Sequence, residues 1–140
     1  LDNCCFNRPY DDQLQLRIRL EAEAKLRIQE DIRSGELGLI WSYILDYENG
    51  RNPFPDRSKH IADWRRYAVD YVGGNDFVVQ LAAKMLRSGI KPIDALHVAC
   101  AIHGQAQFFI TTDDGLLNAG AQLDEISVTE PVGFIREVVD

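Results

Sequence analysis

Four carboxylates stand where a chain could build a hard-metal site: Asp2, Glu48, Asp94 and Asp113. Asp2 follows what reads as a strand end, and Glu48 lies six residues after Ser42 on a helix that follows the apolar run LGLIW. Asp94 falls in the first turn of a helix opened by Pro92, and Asp113 follows the strand-like FFIT. Carboxylates drawn together from distant parts of a chain repel by about 3 kcal/mol for a pair ~5 Å apart at an effective dielectric of about 20. They either raise one another's pKa or recruit a cation. An all-oxygen set favours Mg²⁺ or Mn²⁺, which keeps several waters and also binds phosphate oxygens. Each acid has an ordinary reading too. Asp113 and Asp114 can form a turn and cap a helix, the helix dipole favours any carboxylate at Asp94 by ~0.3–1 kcal/mol, and Glu48 can be a solvated helix residue. Taken together, at strand ends and helix starts, the shared-site reading is the stronger.

The elements that must carry these acids follow from periodicity. After the turn-like Asn7-Arg8-Pro9-Tyr10, the spacing predicts a helix from about Asp12 to Arg33, closed by Ser34-Gly35. Its apolar residues fall in two rows, Leu14, Ile18, Ala22 and Leu26 beside Leu16, Leu20, Ala24, Ile28 and Ile32, a face broad enough to imply a homodimer or a partner segment. Leu37–Trp41 reads as a strand buried on both faces, with Ser42 as cap of a helix from Tyr43 to about Asn49. Past the break at residues 49–53, Asp56 opens a helix expected to carry Ile61, Trp64, Ala68 and Tyr71 as far as Gly73-Gly74. A further helix runs from Asn75 to Gly89, and Pro92 begins another. Phe108–Thr111 and Ile126–Val128 read as strands, Gly115–Ala119 and Pro131–Val138 as helices. Strands separated by helices, with no hairpin signal, predict an α/β fold with a short parallel sheet covered on both faces. Its site is expected in the crevice at the carboxyl ends of the strands. Leu1, directly before Asp2, reads as the last residue of a first strand truncated at the N-terminus of this numbering.

Composition bounds the answer. The 140 residues carry 15 Lys+Arg against 22 Asp+Glu, a net charge of −7, which describes one domain over 1–140. A chain of this length buries enough surface to need neither disulfides nor a structural metal. No apolar run approaches the ~20 residues of a membrane span, and no basic-then-apolar leader is seen. A pI near 4.9 excludes general phosphate coating, so any nucleic-acid contact is local or metal-mediated. Cys4, Cys5 and Cys100 fit neither a disulfide framework nor a zinc site, which points to a reducing cytoplasm.

The segments LDNCC (1–5), SYILDYE (42–48), KPIDALHVACA (91–101) and FFITTDDGLL (108–117) match, in order and rough spacing, those of a known family. The sequence resembles the PIN-domain ribonucleases, particularly VapC-like toxins of toxin–antitoxin modules. The resemblance implies a single PIN-like domain of three layers. It implies that Asp2, Glu48, Asp94 and Asp113 are the catalytic, metal-binding acids, with Thr111 orienting groups around them and Asp114 and Ser42 in support. The implied activity is Mg²⁺- or Mn²⁺-dependent endoribonuclease cleavage of an RNA substrate, with a small antitoxin protein as partner. The alternative is a catalytically inactive PIN-like module acting through protein or RNA contacts.

Other residues invite weaker readings. His97 and Cys100, three apart on one helix, are expected to pack between helix and sheet, since no second ligand pair with zinc spacing exists. Arg51, Arg57, Lys59, Arg65 and Arg66, interrupted by Asp56 and Asp63, suit RNA phosphates and a solvated face equally. Trp41 and Trp64 read as core. No glycine fingerprint follows the first strand, which removes dinucleotide binding.

Overall fold

Gly35 ends the first long helix because the chain there needs a left-handed turn. Its φ is 87° and its N–H donates to the Ile32 carbonyl at 3.2 Å, a cap that glycine adopts without strain. The computed structural model that shows this describes Leu1, Phe6 and residues 15–139. Asp2, Cys4, Cys5, Leu14 and the expected helix start at Asp12 lie outside the described residues. Helix α1 spans Leu16–Ser34. Each of its two apolar rows is split: Ala22, Ala24, Ile28 and Ile32 are buried, while Leu16, Leu20 and Leu26 are exposed at 70%, 47% and 52%.

Strand β1 (Leu39–Ser42) sits slightly later than the apolar run suggests, and Ser42 caps α2 (Tyr43–Gly50), its Oγ accepting the Leu45 N–H at 3.2 Å. Helix α3 (Pro55–Asp63) and a 3₁₀ turn (Trp64–Tyr67) lead into β2 (Ala68–Val72). That strand replaces the last turns of the helix expected through Tyr71. The Ile61, Trp64, Ala68, Tyr71 spacing imitates a helix, but AVDYV is rich in β-branched and aromatic residues, and pairing with β1 buries Val72. Helix α4 (Asp76–Leu86), capped by Asn75, and α5 (Pro92–His103) follow. Then come β3 (Phe108–Ile110), α6 (Asp114–Gly120), β4 (Ser127–Thr129) and α7 (Pro131–Phe134), with a π turn at Ile135–Val139 ending the described chain. The closing helix is therefore α only over its first turn, which Glu130 caps by accepting the N–H groups of Val132 and Gly133.

The strands form two parallel pairs rather than one sheet among the described residues: β1 with β2 (Leu39↔Ala68 to Ser42↔Val72) and β3 with β4 (Phe108↔Ser127 to Ile110↔Thr129). Alternate side chains face opposite ways. Leu39, Trp41 and Ile110 join Ile28, Ile32, Leu45, Ile61 and Phe134 in one core, whereas Val72 and Phe109 join Val78, Met85, Val98 and Leu116 in the other. Helices thus cover both faces of the strands, a mixed α/β architecture. Fully burying a side chain such as Ile28 or Val98 contributes about 1.5–3 kcal/mol.

Helix α5 orients both pairs. Its Cys100 thiol meets the Ser42 hydroxyl, and a Cβ at Gly104 would lie 3.1 Å from Ile40, so α5 runs opposite to β1. His97 lies beside Phe109, ring centroids 6.3 Å apart, and the helix end turns directly into β3, so it runs opposite to β3 as well. Strands β1 and β3 therefore point the same way. No helix among the described residues is long and apolar enough to cross a membrane.

Candidate active site

Two acids of α2 point to different neighbours because they stand two residues apart on a helix. Asp46 takes the Trp41 indole N–H at 2.7 Å and lies 3.3 Å from both the Tyr71 hydroxyl and an Arg65 nitrogen. Burial and that carboxylate push the Tyr71 hydroxyl pKa up. Glu48 turns instead toward α5, where its carboxylate contacts Nε2 of His97. Half-buried Glu48 thus meets a buried imidazole 49 residues further along the chain.

His97 is one turn beyond Asp94 on α5, so the contact brings Glu48 to the helix that carries Asp94, itself half-buried in the first turn. From its sequence context His97 is expected only to pack between helix and sheet. It does pack against Phe109, and it holds Glu48 as well.

Asp113 follows β3 and caps α6, with Oδ1 accepting the Leu116 N–H at 3.1 Å. Its own N–H donates to the hydroxyl of fully buried Thr111 at 3.1 Å. Adjacent Asp114 faces Arg17 of α1 at 2.6 and 2.8 Å, in a paired geometry that also reaches Glu21. The two carboxylates push the Arg17 pKa up. Asp114 is thus engaged by α1, while Asp113 shapes the strand–helix corner.

Ser42 serves α2 as a cap and the Cys100 thiol as a hydrogen-bond partner. Burial pushes that thiol up to about 11, with Ser42 acting weakly in the opposite direction. Four residues of the basic group engage aromatic rings. Guanidinium groups lie over aromatic rings, Arg57 on Phe54 at 4.1 Å, Arg65 on Tyr71 at 4.3 Å, Arg66 on Tyr67 at 5.0 Å and Arg51 on Tyr47 at 5.6 Å. Arg66 lowers the Tyr67 hydroxyl pKa. Of the two tryptophans, Trp41 is fully buried, whereas Trp64 is half-buried with Arg33 5.2 Å above its ring.

The structure therefore links Glu48 to the helix of Asp94, ties Asp113 to Thr111, and engages Asp114 elsewhere. The oxygen donors of Glu48, Asp94 and Asp113 have the hardness that Mg²⁺ or Mn²⁺ requires. Among the described residues, however, no three His, Cys, Asp or Glu side chains are grouped to hold a metal ion. The fourth acid, Asp2, lies outside the described residues. Comparison with family models, with curated proteins and with solved structures found no match to this chain.

Proposed function

We propose that this chain is a divalent-metal-dependent endoribonuclease of the PIN kind, working through Asp2, Glu48, Asp94 and Asp113. The observation that carries the reading is the contact between Glu48 and His97, which ties the acid after β1 to the helix that carries Asp94 in its first turn. Asp113 stands at the end of β3, the part of an open α/β fold where ligands gather. In this reading His97 fixes the Glu48 carboxylate, and Thr111 fixes the backbone at Asp113. Asp2, Glu48, Asp94 and Asp113 would hold a Mg²⁺ or Mn²⁺, which when bound would supply Lewis acidity toward the phosphodiester and a water of lowered pKa. A reducing cytoplasmic setting, a small antitoxin partner and a homodimer belong to the same proposal.

The test is cleavage of RNA with and without divalent metal by the parent, Asp94→Asn and Asp114→Asn. Removing one charge from a hard-cation site weakens the ion, so Asp94→Asn is expected to lose metal-dependent cleavage while remaining folded. Asp114→Asn, which weakens the exposed pair with Arg17, is expected to stay active. A parent that cleaves no RNA with any divalent metal, or two variants of equal activity, would replace this reading with that of a non-catalytic binding module.

A further inference from the structure

Residues 51–66 hold five of the chain's 15 basic side chains and two of its 22 acidic ones, so positive charge is concentrated on one part of an otherwise acidic molecule. Tyr47 of α2 and Arg51 at its end, four residues apart, share a ridge, with the guanidinium 5.6 Å from the ring and one N–H on the Tyr47 hydroxyl at 3.2 Å. At about 100° per residue, Asp46 and Glu48 leave the helix on either flank of that ridge. Asp46 faces a second stack, Arg65 on Tyr71, and Glu48 faces His97. The ridge therefore runs between that stack and the candidate site. Past the end of α2 comes a third stack, Arg57 on Phe54. A reciprocal pair fixes α3 there: Asn49 Nδ2 donates to the Ser58 carbonyl at 2.8 Å, and the Ser58 hydroxyl donates to the Asn49 carbonyl at 3.0 Å.

The rings decide what such a surface fits. Phe54, Tyr47 and Tyr71 keep 51%, 50% and 41% of their surface in water, each with a guanidinium laid against it. A stacked guanidinium keeps its charge and its in-plane N–H fork, which matches phosphate, while exposed planes suit a base. An acidic peptide would meet the charges and leave the rings in water. A duplex hides the faces of its bases and gives the rings nothing to stack on. Asp46, the acid between the stacks, is itself engaged by the Trp41 indole, the Tyr71 hydroxyl and Arg65. We infer that this ridge takes an unpaired RNA strand, with phosphates on Arg51, Arg57 and Arg65 and bases on Tyr47 and Phe54, and leads it to Glu48. The inference rests on the proposed nuclease for the strand's destination; the binding itself needs no metal.

The test is binding of a short fluorescent oligouridylate, read by anisotropy across a salt series in EDTA. The parent is expected to bind with log K falling against log salt at a slope of about −2, as for three phosphate contacts on a single strand. Arg51→Gln and Arg57→Gln should each flatten that slope by about 0.7, whereas Tyr47→Leu should lose roughly 10-fold in affinity at unchanged slope. Arg87→Gln, at an exposed position capping the end of α4, is the control and should change neither. Should Arg57→Gln melt early, Arg51→Gln and Tyr47→Leu, both at exposed positions, decide. Equal affinity for a duplex or for an abasic strand of the same length would overturn the inference. So would an effect of Arg87→Gln equal to that of Arg51→Gln, or no effect of Tyr47→Leu. Equal competition by poly-glutamate would overturn it as well, and make the ridge a seat for an acidic protein segment. Cleavage is scored separately. Binding of the expected pattern by a parent that cleaves no RNA supports the ridge and removes the nuclease. Metal-dependent cleavage whose KM is unmoved by Arg51→Gln and Tyr47→Leu overturns the ridge alone.

Discussion

Thr111 shows how a single side chain can set the shape of a strand end. It is buried with no exposed surface, and its hydroxyl takes the Asp113 N–H. Thr111→Val keeps the volume but leaves that donor unmatched, at a cost of about 1–3 kcal/mol. Thr111→Ser is expected to recover most of that in urea unfolding; equal stability of the Val and Thr forms would show that the hydroxyl is dispensable. Cys100 gives a pH-dependent case. Its pKa in the fold is about 11 against an ordinary 9.0. Below pH 9 the thiol is neutral in both states. From about pH 9 to 11 the unfolded chain gives up the proton first, so the folded state binds more protons and stability falls as pH rises. Cys100→Ala is expected to flatten that fall, apart from a constant offset of about 1 kcal/mol for the lost sulfur. An unchanged slope would assign the loss to other groups. At this scale the acids were legible because carboxylates near strand ends and helix starts stand out in a sequence. The role of His97 was not, because its partner comes from another helix and neither residue alone signals the contact.

Helix α6 rests on β4 through Gly120, where a Cβ would lie 2.8 Å from a methyl of Val128 and 3.0 Å from its Cβ. Gly120→Ala is therefore expected to destabilise the fold by about 1–3 kcal/mol through overpacking. Val128→Ala, mildly destabilising alone, should relieve much of that in the double variant; strict additivity in a thermal-melt cycle would mean the two do not collide. The helix starts were legible for a local reason. Ser42, Asn75 and Asp113 each cap the helix behind them with their own side chains, and Pro92 stands in a first turn. Strand β2 was not legible, since what makes Ala68–Val72 extended is pairing with β1, about thirty residues earlier in the chain. The split face of α1 shows the same limit. Periodicity marks Leu16 and Leu20 as apolar, but the core takes Ala22, Ile28 and Ile32 and leaves those leucines outward.

The outward leucines matter for the molecule as a whole. With Leu117 and Val132 they line a recess of about 360 Å³ beside the Arg17–Asp114 pair. Pairing of two copies through this face is expected to give a light-scattering mass twice 15.9 kDa, and Leu20→Glu to return it to one chain. A parent of single-chain mass at high concentration would rule the pairing out. A net charge of −7 opposes such self-association most strongly at low salt, so the measurement belongs at physiological ionic strength. The contrast between Trp41 and Trp64 has a practical consequence for all these measurements. Trp41, sealed from solvent with its indole held by Asp46, should emit toward the blue and resist dissolved quenchers, whereas half-buried Trp64 beneath Arg33 should emit further to the red and be quenched first. The chain thus carries its own pair of optical probes. Comparing quenched with unquenched emission during unfolding would distinguish loosening around Arg33 from the opening of the core that encloses Trp41.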